Sequence, residues 1–241
     1  MENFGFIVAC IVTIVLLFLV AAWFEKHFVK DRKAFSSTHY IAYTAIFAAL
    51  AGVLMLFEIP LFFAPAFYKI DLSEIPILIC TFYLGPVAGV AAELVKIVVK
   101  LVLKGTSTAF VGDYANFVVG CSFVLPASIL YHAKPGKKTA LMGMVLGTLV
   151  MTVVGSAFNA FYLLPKFAVL YGMPMEAIIG MGTKVNAHIT SVSTLVLFAV
   201  VPFNLLKGAL VSLLTFLLYK RISPLLHKGD ARRAERKAKK A

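Results

Sequence analysis

The chain is 241 residues long, 61% hydrophobic and only 14% charged, with a mean hydropathy of +0.93. These values exclude an ordinary soluble domain and define a polytopic membrane protein whose solvent is lipid. The net charge of +12 sits mostly between and after the apolar runs; that suits loops on an anionic membrane face, whereas a nucleic-acid surface would need a polar domain that the sequence does not offer.

Residues 5–24, "GFIVACIVTIVLLFLVAAWF", form a 20-residue apolar run. At about 1.5 Å per residue it is long enough to cross about 30 Å of hydrocarbon. A secretory signal would put positive charge before the run and a small-residue cleavage site after it. Here Glu2 precedes it and "EKHFVKDRK" follows, so it reads as a retained helix, N-terminus outside and the basic segment 26–33 cytoplasmic. The second span covers 39–60, where the pairs Ala45/Ala49 and Ala48/Gly52 recur at four-residue spacing. Small residues spaced this way admit a second helix, from within the chain or from a partner. Residues 58–74, with Pro60, Pro65, several aromatics and the acids Asp71 and Glu74, read as a structured outer connection.

Residues 75–105 are too long for one span and divide at Gly85-Pro86 into two short helices with a tight inside turn. Lys96, Lys100 and Lys104 rise every four residues along one face, with Glu93 one turn below Lys96 as its expected partner. The span 110–131 ends in the basic turn "HAKPGKK", and the next, 138–164, carries Asn159 near its outer end and stops at Pro165. Residues 165–200 mix an outer loop with the moderately apolar "ITSVSTLVLFAV", a short or re-entrant piece. The final span covers 203–221 and opens at Pro202. Between Lys228 and Lys240 the tail has seven Lys/Arg against two acids, and is expected to be cytoplasmic and unstructured. The fold class is therefore an all-α membrane helix bundle in three parts: an N-terminal helix and basic linker (1–38), a six-helix domain (39–225) and a basic tail (226–241).

With this topology Asp71, Ser73, Glu74, Lys100, Lys104, Asn116, Asn159, Asn204 and Lys207 gather toward the outer side. A polar side chain in a span costs a few kcal/mol unless it is partnered or faces a cavity, so their convergence predicts an outward-opening polar pocket. The plainer readings are that Asn159 bridges helices and that Lys207 snorkels to the headgroups. Cys10, Cys80 and Cys121 lack zinc or disulfide spacing, and no nucleophile elbow, H-E-x-x-H or Walker A sequence occurs. No enzyme activity, metal or resident cofactor is expected, and uphill movement would need energy from another subunit. A retinal-type protein is disfavoured because Lys207 lies at the outer end of its helix, and an ion-coupled secondary transporter because Glu93 is the only deep acid.

The blocks "DLSEIPILICTFYLGPVAGVAAELVK" (71–96), "YANFVVG" (114–120), "NAFYLLP" (159–165) and "VPFNLLKG" (201–208) resemble, in order, those of riboflavin-specific S-components of energy-coupling factor (ECF) transporters. The likeness covers residues 39–225. It implies six helices in a bacterial cell membrane, with a vitamin pocket near the extracellular side under the long first loop. ATP would be used only by partners, a transmembrane coupling protein and a pair of ATP-binding-cassette (ABC) ATPases. By matching motifs, Asn159, Asn204 and Lys207 fall on flavin-contacting positions, and Asp71, Ser73 and Glu74 on the first-loop motif. The small-residue face Ala45, Ala48, Ala49 and Gly52 resembles the motif that docks on the coupling protein. Helix 5–24 lies outside the six-helix pattern. An S-component for a different vitamin is the alternative. The chemistry suits a flavin: Phe67, Tyr68, Phe158 and Tyr162 would cover its apolar edge, an asparagine amide matches the donors and acceptors of the pyrimidine edge, and a lysine can donate to a carbonyl or hydroxyl.

Overall fold

A computed structural model describes residues 2–29, 37–65 and 67–238; part of the basic linker and the last residues of the tail lie outside the described residues. The helical pieces are α1 (Glu2–Phe28), α2 (Thr38–Leu54), α3 (Glu74–Leu84), α4 (Pro86–Lys104), α5 (Val111–Ala133), α6 (Lys137–Phe158), α7 (Leu164–Leu170), α8 (Met175–Thr183), α9 (Val192–Leu195) and α10 (Val201–Ala238). Single π turns, Asn159–Leu163 and Val196–Val200, join α6 to α7 and α9 to α10. The described residues thus form seven rods plus the short α8. Four rods are long and apolar enough to cross a membrane, at residues 4–28, 111–133, 137–170 and 192–219. Helices α2 and α3 are apolar but shorter, and α4 carries the lysine stripe. This is the expected all-α membrane bundle, with its break at Gly85-Pro86 where the sequence puts it.

Three boundaries differ from expectation. Pro165 does not end its helix and Pro202 does not begin one. A proline lacks the N–H of the helical ladder and its ring clashes with the carbonyl four residues back. Here the residue just before each proline, Leu164 or Val201, donates instead to the carbonyl five residues back, that of Asn159 or Val196. The wider turn lets the rod pass the proline. The sixth span therefore runs on to Leu170, and the last starts at Val192, where Ser191 caps it through the Thr194 N–H. "ITSVSTLVLFAV" is the outer part of a full crossing. The tail, expected to be unstructured, continues α10 to Ala238, in a stretch rich in the good helix formers Ala, Arg, Lys and Glu. The 55–73 connection holds one short antiparallel pair, Ile59 opposite Ile70 and Pro60 opposite Lys69 (β1, Ile59–Pro60; β2, Lys69–Ile70).

Small residues set the closest helix approaches. A Cβ on Gly143 of α6 would lie 2.6 Å from the Ala127 carbonyl oxygen of α5, and one on Gly52 of α2 would lie 2.5 Å from Val99 Cγ1 of α4. Ala48 and Gly52 are buried in the α2–α4 contact, which corrects their assignment to partner docking; Ala45 and Ala49 face outward. At the α3–α4 corner Gly85 has φ +116°, and α4 has no side-chain cap of its own. Glu25 of α1 supplies one, accepting the Val87 N–H at 3.0 Å, a favourable place for a carboxylate because of the helix dipole.

The lysine stripe is an ion-pair ladder. Lys96 is 1% exposed, its Nζ 2.8 Å from Glu74 Oε1 and 2.6 Å from Glu93 Oε2. The Glu93 contact is the expected one, but the better aligned hydrogen bond goes to Glu74 on α3. One turn up, Lys100 meets Asp113 of α5 at 2.6 Å, and Lys104 meets Glu58 at 2.8 Å, a carboxylate also held by Lys69 at 2.9 Å. Lys96→Met would leave two buried carboxyls without their cation, and should destabilise the protein by about 3–5 kcal/mol. The triple variant Lys96→Met/Glu74→Gln/Glu93→Gln should recover much of that loss. Thermal unfolding in detergent checks both; a Lys96→Met protein as stable as wild type would contradict the ladder's role.

Candidate functional site

At the bundle end that carries the 55–73 connection, two asparagines converge on Gly155. Asn159 opens the π turn after α6; its Nδ2 donates to the Gly155 carbonyl at 2.7 Å. Asn204, in the first turn of α10, donates its Nδ2 to the Val200 carbonyl at 3.0 Å. Each amide thus bonds the carbonyl four residues back, a local habit of asparagine that here fixes which end is nitrogen. A Cβ on Gly155 would sit 3.1 Å from Asn204 Nδ2, so glycine is what lets the two amides share this level. Both are buried, at 6% and 3% exposure. The Asn159 oxygen accepts from the Tyr68 hydroxyl at 2.7 Å, and burial pushes that phenol well above its ordinary range, so it acts as a neutral donor.

Beside the amides, Lys207 donates to Asp71 Oδ2 at 3.0 Å. The other Asp71 oxygen accepts the Ser73 N–H at 2.9 Å and the Ser73 hydroxyl. Burial alone would raise the Asp71 carboxyl; Lys207, then Lys96 and the Ser73 bonds, outweigh it and hold it down to about 2, so it is ionised at neutral pH. Lys207 does not snorkel to the headgroups: it is buried on a carboxylate.

Aromatic rings form two groups above this polar floor. Tyr68 packs at a tilt against Phe67 (centroids 4.6 Å apart) and Phe203 (5.3 Å), and Phe67 meets Phe167 at 6.0 Å. Phe158 and Tyr162 lie 4.9 Å apart, both against Tyr114 at 5.7 and 6.1 Å. Both groups border one apolar cluster that includes Leu163, Leu195 and Ala199.

Of the sequence candidates, Asn159 and Tyr68 are bonded to each other, Asn204 packs against Asn159's Gly155, and Lys207, Asp71 and Ser73 form one linked set. Glu74 points instead to Lys96, and Asn116 donates to the Gly112 carbonyl of its own helix at 3.1 Å, so neither joins the amide pair. Gly155, Phe203 and Tyr114 were not foreseen. Gly155 was findable as the residue four before Asn159, and Phe203 as the neighbour of Asn204. Paired amides, a buried ion pair and aromatic walls suit reversible binding of a planar heterocycle with donors and acceptors on one edge.

The fold defines a multi-pass membrane protein, with this cluster as a buried polar site at one end of its bundle. Residues 39–219 match the family "ECF transporter, substrate-specific component", and the chain belongs to it. The chain is 34% identical over 182 residues to the riboflavin transporter RibU of Staphylococcus aureus, which covers 76% of this chain and 89% of that protein. It is 30% identical to the riboflavin transporter FmnP of Bacillus subtilis (75% and 90%) and 31% identical to RibU of Streptococcus thermophilus (80% and 87%). A solved structure of the S component of a bacterial ECF transporter superposes with a TM-score of 0.61 at 32% identity, covering 78% of this chain and 97% of that one. The family match begins at residue 39, so α1 lies outside it.

Gly155→Val should drive the amides apart and destabilise the fold by about 1–3 kcal/mol, as overpacking does. Gly180→Val, at a helix position where nothing lies within 4 Å of the added Cβ, is the matched control and should cost clearly less in the same thermal assay. Equal effects of the two changes would contradict the close approach at Gly155.

Proposed function

We propose that this chain is a riboflavin-binding S-component, which takes riboflavin from the extracellular side and releases it inward when partner ABC ATPases hydrolyse ATP. The observation that carries this reading is the pair of buried amides converging on Gly155 beneath aromatic walls. The names of the relatives supply the ligand. Asn159 and Asn204 read the pyrimidine edge, Lys207 donates to a carbonyl or ribityl hydroxyl, and Tyr68, Phe158 and Tyr162 cover the apolar edge. The Tyr68 hydroxyl occupies the Asn159 acceptor that a flavin imide N–H would take. Binding then exchanges a donor from the chain's own 55–73 connection for one from the ligand.

Orientation and partners follow from the same frame. Lys134, Lys137, Lys138 and Arg221 lie at the end opposite the amides, which favours that end as cytoplasmic and the site and N-terminus as external. The outward face of α2 with Ala45 and Ala49 offers a close-approach surface for the coupling protein. It lies beside an apolar groove of about 770 Å³ lined by Leu50, Leu54, Ile75 and Leu217.

In riboflavin-auxotrophic cells, co-expression with the coupling protein and its ATPases should give riboflavin uptake that disappears when the ATPases are inactivated. Asn159→Ala or Asn204→Ala should weaken binding by about 1–3 kcal/mol, the cost of an unpaired buried group. Uptake that persists without ATPases would favour a secondary transporter, and normal binding by both variants would overturn the amide assignment.

A further inference from the structure

We propose that α1 is a working wall of the binding site, with Thr13 and Phe6 as positioning residues that set Tyr114 against Phe158 and Tyr162. This rests on the riboflavin reading above and goes beyond it, since α1 precedes the part of the chain that the family matches.

Helix α1 docks on α4 and α5 along one stripe, Phe6, Thr13, Ile14, Leu17, Ala21 and Glu25, while most of its remaining described surface is exposed to lipid. Apolar packing alone does not fix a helix's depth or rotation in lipid, because lipid tails are as apolar as the stripe. Two polar contacts do. Near one end Glu25 accepts the Val87 N–H at 3.0 Å; 12 residues earlier, about 18 Å along the axis, Thr13 shares a hydrogen bond with the Tyr114 hydroxyl at 2.8 Å. Thr13 is the only hydroxyl residue in the run 5–24. Phe6 meets the Tyr114 ring edge-on, at 5.8 Å and 90°.

Tyr114 is therefore held from the α1 side by a ring and a hydroxyl, and on its other side touches Phe158 and Tyr162. Phe158 immediately precedes Asn159, and Tyr162 lies inside the π turn that Asn159 opens. The position of α1 thus passes through one tyrosine to the backbone that aims an amide. A helix that only anchored the chain would need neither contact.

The test is riboflavin titration of the purified full-length protein, read by affinity and by the visible absorption spectrum of the bound flavin. Thr13→Val removes the hydroxyl at constant shape; it should weaken binding by roughly 3- to 10-fold and shift the bound-flavin spectrum, as expected for one lost hydrogen bond at a ring wall. Thr13→Ser should restore both. Tyr114→Phe should match Thr13→Val, and the double variant should lose no more than either alone, the signature of a coupled pair. Leu16→Ala, on the lipid face, should change neither readout. Wild-type binding with an unaltered affinity and spectrum in Thr13→Val, or additive losses in the double variant, would overturn this inference alone. Failure of the wild type to bind riboflavin would overturn the reading beneath it.

Discussion

The buried Lys96 ammonium is the constraint from which the site is built. At 1% exposure it is out of reach of bulk water, so its carboxylate partners must come from the chain. One, Glu74, lies in the first turn of α3, three residues after Asp71. Tying Glu74 to α4 fixes where α3 begins, and that fixes the Asp71–Ser73 turn which receives Lys207 from α10. Helix α10 in turn carries Asn204. The polar floor is thus assembled outward from an ion-pair network in the bundle, with the 55–73 connection held at its rim by Glu58, Lys69 and Lys104.

Above that floor the geometry depends on two prolines handled alike. Pro165 and Pro202 each follow a π turn closed by the residue just before the proline. These turns sit beside the amide pair: Asn159 opens the first, and Asn204 bonds the last carbonyl of the second. π turns inside α-helices are frequent at functional sites because they change which way a side chain points without ending the rod. Here they keep two rods continuous through the site while setting the amides at one level.

Most of the frame was legible in the sequence because lipid leaves few solutions: apolar runs gave the rods, Gly85-Pro86 the corner, and the lysine spacing one face with the Lys96–Glu93 contact, whereas Lys100 and Lys104, expected toward the pocket, are tied to Asp113 and Glu58 instead. The errors came where local rules have two outcomes. A proline in an apolar run stops a helix unless a wider turn absorbs it, and nothing in "FYLLP" or "FAVVP" shows which. The small residues of α2 offer two adjacent faces, and only packing shows that Ala48 and Gly52 turn inward while Ala45 and Ala49 do not. Asn116 and Asn159 look alike in sequence, and both bond a carbonyl four residues back; Asn159 alone of these two receives Tyr68. The Thr13–Tyr114 contact joins positions 101 residues apart, beyond any local pattern.

The riboflavin binding proposed for this chain can be tested without any partner. Riboflavin should be titrated into the purified full-length chain in the absence of nucleotide and other subunits, with flavin emission followed throughout. Saturable quenching that ends at one flavin per chain is the result the riboflavin reading predicts, because tyrosine and phenylalanine rings border the proposed site. Unquenched emission at micromolar riboflavin, with no flavin retained on the protein, would contradict it.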